Sequence, residues 1–180
     1  LLAGLANAHA RGVVHRDLKP DNILLAGSDL PEQLGMPKIV DFGIARVYFD
    51  EESSPRDTRQ DEVVGTPRYM SPEQARGERS LGPASDLYNV GLILYELIVG
   101  EAPFGDARGL DVMVRHVHDP VPPMKPRDGL EIPDELERLV DQLLAKDARD
   151  RPSPAAEVRM LLEPLIEQAD DSPSALVIPS

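Results

Sequence analysis

The sequence predicts an α+β domain, mainly helical, with one small antiparallel β ribbon. Three observations predict it. Apolar residues recur at helical spacing in four separate stretches, only two short runs look like strands, and these two lie close enough in sequence to pair. At 180 residues the chain has room for one domain, or for one domain and a tail. The hydrophobic fraction of 41% supports a core, and that core must be mainly aliphatic, because aromatics are 4% and Trp is absent.

The elements follow in order. Residues 1–11 read as a helix with Leu1, Leu2, Leu5 and His9 on one face and Gly12 as its stop. The chain opens on Leu rather than Met, inside this uncapped helix, so it reads as a piece of a longer protein. A punctuated polar loop runs from Val13 to Asn22. The runs Ile23–Leu25 and Pro37–Val40 are the two ribbon strands, with a turn or small insertion at Gly27–Gly35 between them. Residues 46–64 are polar, charged and without period, as expected of a long exposed functional loop.

From Pro72 the pattern is helical. Asp86–Val99 is apolar nearly all round, the mark of a helix at the centre of a domain, ended by Gly100 with Pro103 beyond it. Pro120–Pro133 is a proline-rich connection. Leu136, Leu139, Val140, Leu143 and Leu144 form an amphipathic stripe. Ser153 followed by Pro154 predicts an N-cap and first helical position, for a last helix that stops before Pro164. Residues 164–180 are then expected to be a disordered tail or linker.

Composition excludes several functions. Nineteen basic against thirty-two acidic residues give a net charge of −13, so nucleic acid is a poor partner. The absence of cysteine removes disulfides, thiolate metal sites and thiol nucleophiles. The run Leu87–Val99, broken by Asn89, Gly91 and Glu96, is too short to span a membrane. A cytoplasmic location is therefore expected, although an anchor outside these residues could tether a longer protein. His116 and His118 lack a third ligand nearby and read as packing or surface histidines rather than a metal site.

The chemistry is concentrated in HRDLKPDN at residues 15–22 and DFG at residues 41–43. The first offers a carboxylate, a lysine two residues on and an amide oxygen five residues on. The second adds a carboxylate at the end of the other ribbon strand. A base to orient a hydroxyl, a cation for a moving phosphate and hard oxygen ligands for Mg²⁺ are what phosphoryl transfer requires.

With GTPRYMSPE following at residues 65–73, the ordered motifs resemble the eukaryotic-type (Hanks-type) protein kinase family, in its serine/threonine branch and most like its bacterial members. The resemblance covers residues 1–162 and implies the helical C-terminal lobe of that fold, as a domain over residues 1–163. It implies transfer of the γ-phosphoryl of ATP to Ser/Thr hydroxyls of protein substrates, with Mg²⁺. Asp17 is similar to the catalytic base and Lys19 to the lysine that steadies the γ-phosphate. Asn22 and Asp41 resemble the metal ligands, and Leu24 the residue beneath the adenine. Thr66 resembles the threonine that holds Asp17 and Lys19. His15 and Phe42 resemble members of an apolar stack, Glu73 and Arg151 a structural ion pair, and Asp86 the helix-start aspartate that binds the catalytic-loop backbone.

Arg16 implies activation by phosphate on the segment 41–73, with Thr58 the first candidate and Ser53 and Ser54 next. Two features depart from the family. The spacing from Asp17 to Asp41 is longer than common, through the 27–35 insertion. The glycine-rich loop and strand lysine of the nucleotide-binding N-terminal lobe are missing from these residues, so the chain alone is expected to transfer phosphate very poorly. The alternative reading is a non-catalytic pseudokinase or docking lobe.

Overall fold

The computed structural model describes residues 1–27, 35–42, 67–107, 109–127 and 131–170, the last four as backbone only. Helix α1 spans Leu2–His9 and stops as its sequence predicts. Gly12 takes the left-handed conformation (φ 74°), and the Gly12 and Val13 amides return to the carbonyls of His9 and Ala8 at 2.9 and 3.0 Å. A 3₁₀ turn at Pro20–Asn22 leads into strand β1, Ile23–Ala26, which pairs antiparallel with β2, Met36–Ile39, in the register Ile23 to Ile39. This is the expected ribbon, and among the described residues it is the whole sheet.

The short helix α2, Pro72–Ala75, precedes the central helix α3, Pro83–Val99. Helix α4 spans Leu110–His118, α5 Asp134–Leu143 and α6 Ala155–Asp170. Two apolar clusters meet on α3. One joins Leu87, Val90 and Ile93 to Leu5 of α1, Leu18, Leu139, Leu143 and Val158, with Ile23 and Ile39 of the ribbon packed against it. The other joins Tyr88, Leu92 and Tyr95 to Met124, Val140 and Leu144. Gly91 lets α5 come close, since a Cβ there would lie 2.8 Å from that of Leu143. Among the described residues no helix is long and apolar enough to cross a membrane.

Three expectations are corrected. Helix α3 begins at Pro83, not Asp86, because Pro83 supplies a preset first turn behind Gly82. Asp86 therefore lies inside the first turn, free to bind another segment rather than cap its own helix. Helix α6 begins at Ala155, not Pro154, after a cis Ser153–Pro154 bond. Pro154 rather than Ser153 directly precedes the helix, so Ser153 is not the N-cap that its side chain suggested, although its amide donates to the Glu157 carboxylate at 3.1 Å.

Helix α6 also continues through Pro164 to Asp170. An exposed proline removes one backbone bond but leaves later turns able to form their own. Residues 164–170 are thus helix rather than disordered tail, and 171–180 lie outside the described residues.

Candidate functional site

The site is a loop held from below by α3. Asp86, fully buried, accepts the His15 amide at Oδ2 and the Arg16 amide at Oδ1, both at 2.8 Å. His9 of α1 donates from Nε2 to the same Oδ2 at 2.8 Å. Arg16 has φ 70°, a region that costs a non-glycine residue about 1–3 kcal/mol. It is pinned on both sides, since the Gln74 side-chain amide donates to its carbonyl.

Above this anchor the loop brings the predicted polar groups together. Lys19 Nζ lies 3.2 Å from Asp17 Oδ2, and the Asn22 amide donates to the Asp17 carbonyl at 2.8 Å and to Oδ2 at 3.4 Å. Asn22 is buried, and committing its NH₂ to Asp17 leaves the amide oxygen as the group that a cation would meet.

Asp41 follows directly on Val40, which ties both ends of the loop. The Val40 amide donates to the Asn22 carbonyl at 3.0 Å, and His15 Nε2 donates to the Val40 carbonyl at 2.8 Å. His15 Nδ1 in turn accepts the Asp17 amide at 3.3 Å, so one tautomer serves both bonds. Asp41 is exposed and also has a left-handed backbone, φ 60°. The Phe42 ring stands 4.8 Å from His15, edge to face. Leu24 of β1 is 53% exposed. Thr66, Thr58, Ser53 and Ser54 lie outside the described residues.

Glu73 and Arg151 form a buried bidentate pair at 2.7 and 2.9 Å. Ser85 donates to Glu73 at 2.7 Å, and Arg151 also donates to the carbonyls of Ala84, Ala145 and Lys146. Burial by itself would raise the Glu73 carboxyl, but the guanidinium and hydroxyl bonds outweigh it and hold the group below the usual range. Behind it Tyr69 donates to Glu96 and accepts, at its carbonyl, the Asn89 amide. Burial and the neighbouring Glu96 raise the Tyr69 phenol, which stays protonated.

His116 is buried as a packing residue, between the Tyr88 hydroxyl at Nδ1 and the Arg68 carbonyl at Nε2, each 3.0 Å away. His118 is exposed.

Sequence reasoning missed the roles of His9 and Gln74. His9 reads as one more residue on the inner face of α1. Gln74 had a usable signal, because Ser71-Pro72-Glu73-Gln74 has the form of a capping box. The structure has both of its bonds, at 3.3 and 2.9 Å.

Residues 1–162 match the family described as "Protein kinase domain". The chain is 42% identical over 156 residues to the serine/threonine-protein kinase pkn3 of Myxococcus xanthus, covering 86% of this chain and 28% of that protein. It is 43% identical over 151 residues to the serine/threonine-protein kinase PkaA of Streptomyces coelicolor, covering 83% and 25%. It is 39% identical over 153 residues to the serine/threonine-protein kinase PknB of Mycobacterium leprae, covering 84% and 23%. The chain thus spans about a quarter of the length of the curated relatives it matches.

Proposed function

The chain belongs to the protein kinase family, in its bacterial Hanks-type serine/threonine branch, and from that premise we propose that it is the C-terminal lobe, residues 1–163, of an enzyme that moves the ATP γ-phosphoryl to Ser/Thr hydroxyls of proteins. The observation that carries this reading is the cluster of Asp17, Lys19 and Asn22 on a loop locked from below by Asp86.

In this reading Asp17 orients the acceptor hydroxyl and takes its proton as the oxygen bonds to the γ-phosphorus and the bridging oxygen leaves with ADP. Lys19, already beside Asp17, stabilises the transferring phosphoryl. The Asn22 amide oxygen and the Asp41 carboxylate are hard oxygen donors that suit Mg²⁺ and would hold it. Bound there, Mg²⁺ supplies positive charge to the phosphates that a chain of net charge −13 lacks. The exposed Leu24 lies on the ribbon where an adenine would rest, and Thr66 would brace Asp17 and Lys19.

The nucleotide-covering lobe is assigned to a part of the protein outside these residues. The test is phosphate transfer to a Ser/Thr substrate by the full-length protein, and Asp17→Asn is expected to lower kcat by at least about 10²-fold. Unchanged turnover in the variant would refute the assignment. Residues 1–180 alone are expected to show no measurable turnover, and brisk transfer would refute the need for a second lobe.

Arg16 Nε is buried with no hydrogen-bond partner among the described residues, which supports its reading as the receiver of a phosphate from the 41–73 segment. Mass spectrometry of the active protein is expected to find that phosphate on Thr58. An active enzyme with an unmodified segment would remove the mechanism.

A further inference from the structure

Gln74 of α2 engages both ends of one side-chain amide. Its Oε1 accepts the Ser71 amide at 2.9 Å, which closes the capping box, and its Nε2 donates to the Arg16 carbonyl, 58 positions away. The partners are an N–H and a C=O, so the amide fits in one orientation only.

The second bond falls where the loop is otherwise loosely held. Asp86 takes the amides of His15 and Arg16, which fixes the chain as far as the Arg16 nitrogen. The next peptide, between Arg16 and Asp17, can still turn about the Arg16 Cα. Its N–H reaches His15 Nδ1 only at 3.3 Å, the long edge of hydrogen-bonding distance, so the Gln74 bond to its carbonyl is the firmer hold. Beyond it, the Asn22 amide grips the Asp17 carbonyl at 2.8 Å, so a turn of the 16–17 peptide must be taken up at Asp17 itself.

We propose that Gln74 is a positioning residue: through the Arg16 carbonyl it fixes the peptide that carries Asp17, and with it the direction in which Asp17 presents its carboxylate to the acceptor hydroxyl. The proposal rests on the reading of Asp17 as the base. It also explains a choice in the sequence. Glu and Gln both serve in a capping box, because the box asks that side chain only for an acceptor. An ionised Glu has no hydrogen for the Arg16 carbonyl and would turn a second oxygen toward it. Gln satisfies both partners. Gln74→Glu therefore keeps the cap and removes the hold on Arg16, which separates positioning from folding.

The experiment measures steady-state transfer to a Ser/Thr substrate, and thermal unfolding, for the full-length protein. It compares wild type, Asp17→Asn, Gln74→Glu and Gln74→Met, the last uncharged and without a donor. Both Gln74 variants are expected to lower kcat per folded molecule by about 10- to 100-fold, with KM for ATP within about twofold, since the Gln74 amide is committed to the protein and not to a reactant. Gln74→Glu is expected to unfold near the wild-type temperature and Gln74→Met below it. Should Gln74→Glu not fold, Gln74→Met carries the same comparison. Wild-type kcat per folded molecule in the Gln74 variants, whatever their unfolding temperatures, beside an inactive Asp17→Asn, would overturn the positioning role and leave the kinase reading standing. Asp17→Asn as active as the wild type would overturn that reading instead.

Discussion

At the scale of single residues, the buried ion pair of Glu73 and Arg151 shows how much one contact can hold. Arg151 reaches Glu73 and the carbonyls of Ala84, Ala145 and Lys146, and stacks 4.8 Å over the Tyr88 ring. Arg151→Met should therefore cost about 3–5 kcal/mol, because it leaves a buried carboxylate without its counter-charge. Urea unfolding of residues 1–180 measures this. Glu73→Gln should cost a similar amount. The double variant Glu73→Leu/Arg151→Met should recover much of the loss, since replacing both charges avoids the orphan. Additive losses in the double variant would show that the carbonyl bonds of Arg151, rather than the charge pair, dominate.

At the scale of elements, α6 is where sequence and structure part most clearly. Pro164 marks a stop by local rules, yet the helix runs six residues further. The local rule weighs only the missing N–H and the clash with the carbonyl of Met160, and α6 has tertiary support on its first half from Val158 and Leu162 against the main core. Pro164→Ala should strengthen the last turns. Amide hydrogen exchange at 165–168 should slow by about tenfold or more, as proline is about 3 kcal/mol worse than alanine inside a helix. Unchanged exchange would mean that those turns form independently of residue 164.

The other elements were legible because their signals are local. Gly12 and Gly100 stop their helices in left-handed turns, and the ribbon pairs as its spacing suggested. What was not legible is the set of contacts that cross the chain. His9 to Asp86 spans 77 positions and Gln74 to Arg16 spans 58, and no spacing rule joins such pairs. The closeness of Asp17 and Asn22 could be read because both sit within one eight-residue motif.

At the scale of the whole molecule, α3 is the frame on which separate loops are hung. Its sequence reads as apolar all round, and the few polar residues that interrupt it are the ones that bind other segments. Ser85 holds Glu73, Asp86 the loop at His15 and Arg16, Tyr88 His116, Asn89 the Tyr69 carbonyl and Glu96 the Tyr69 hydroxyl. The Tyr88–His116–Arg68 link joins α3, α4 and the end of the 41–73 segment, so its protonation bears on the whole assembly. Burial lowers the His116 imidazole to about 4, Lys146 pushes it the same way, and the bond to the Arg68 carbonyl only partly offsets them.

The folded state therefore takes up this proton less readily than the unfolded chain, whose histidine titrates near 6.5. Stability from this site is complete above about pH 6.5 and falls as pH drops toward 4, by about 3 kcal/mol in all. The lowered Glu73 carboxyl adds its own loss only once pH falls into the usual carboxylate range, where the unfolded chain begins to protonate it, so the upper part of the window belongs to the imidazole. Urea unfolding of the wild type and of His116→Gln, between pH 7 and pH 4, isolates the effect. The stability difference between the two proteins should shrink steadily across that range. A constant difference would mean that His116 protonates as easily folded as unfolded, and that burial does not hold it neutral.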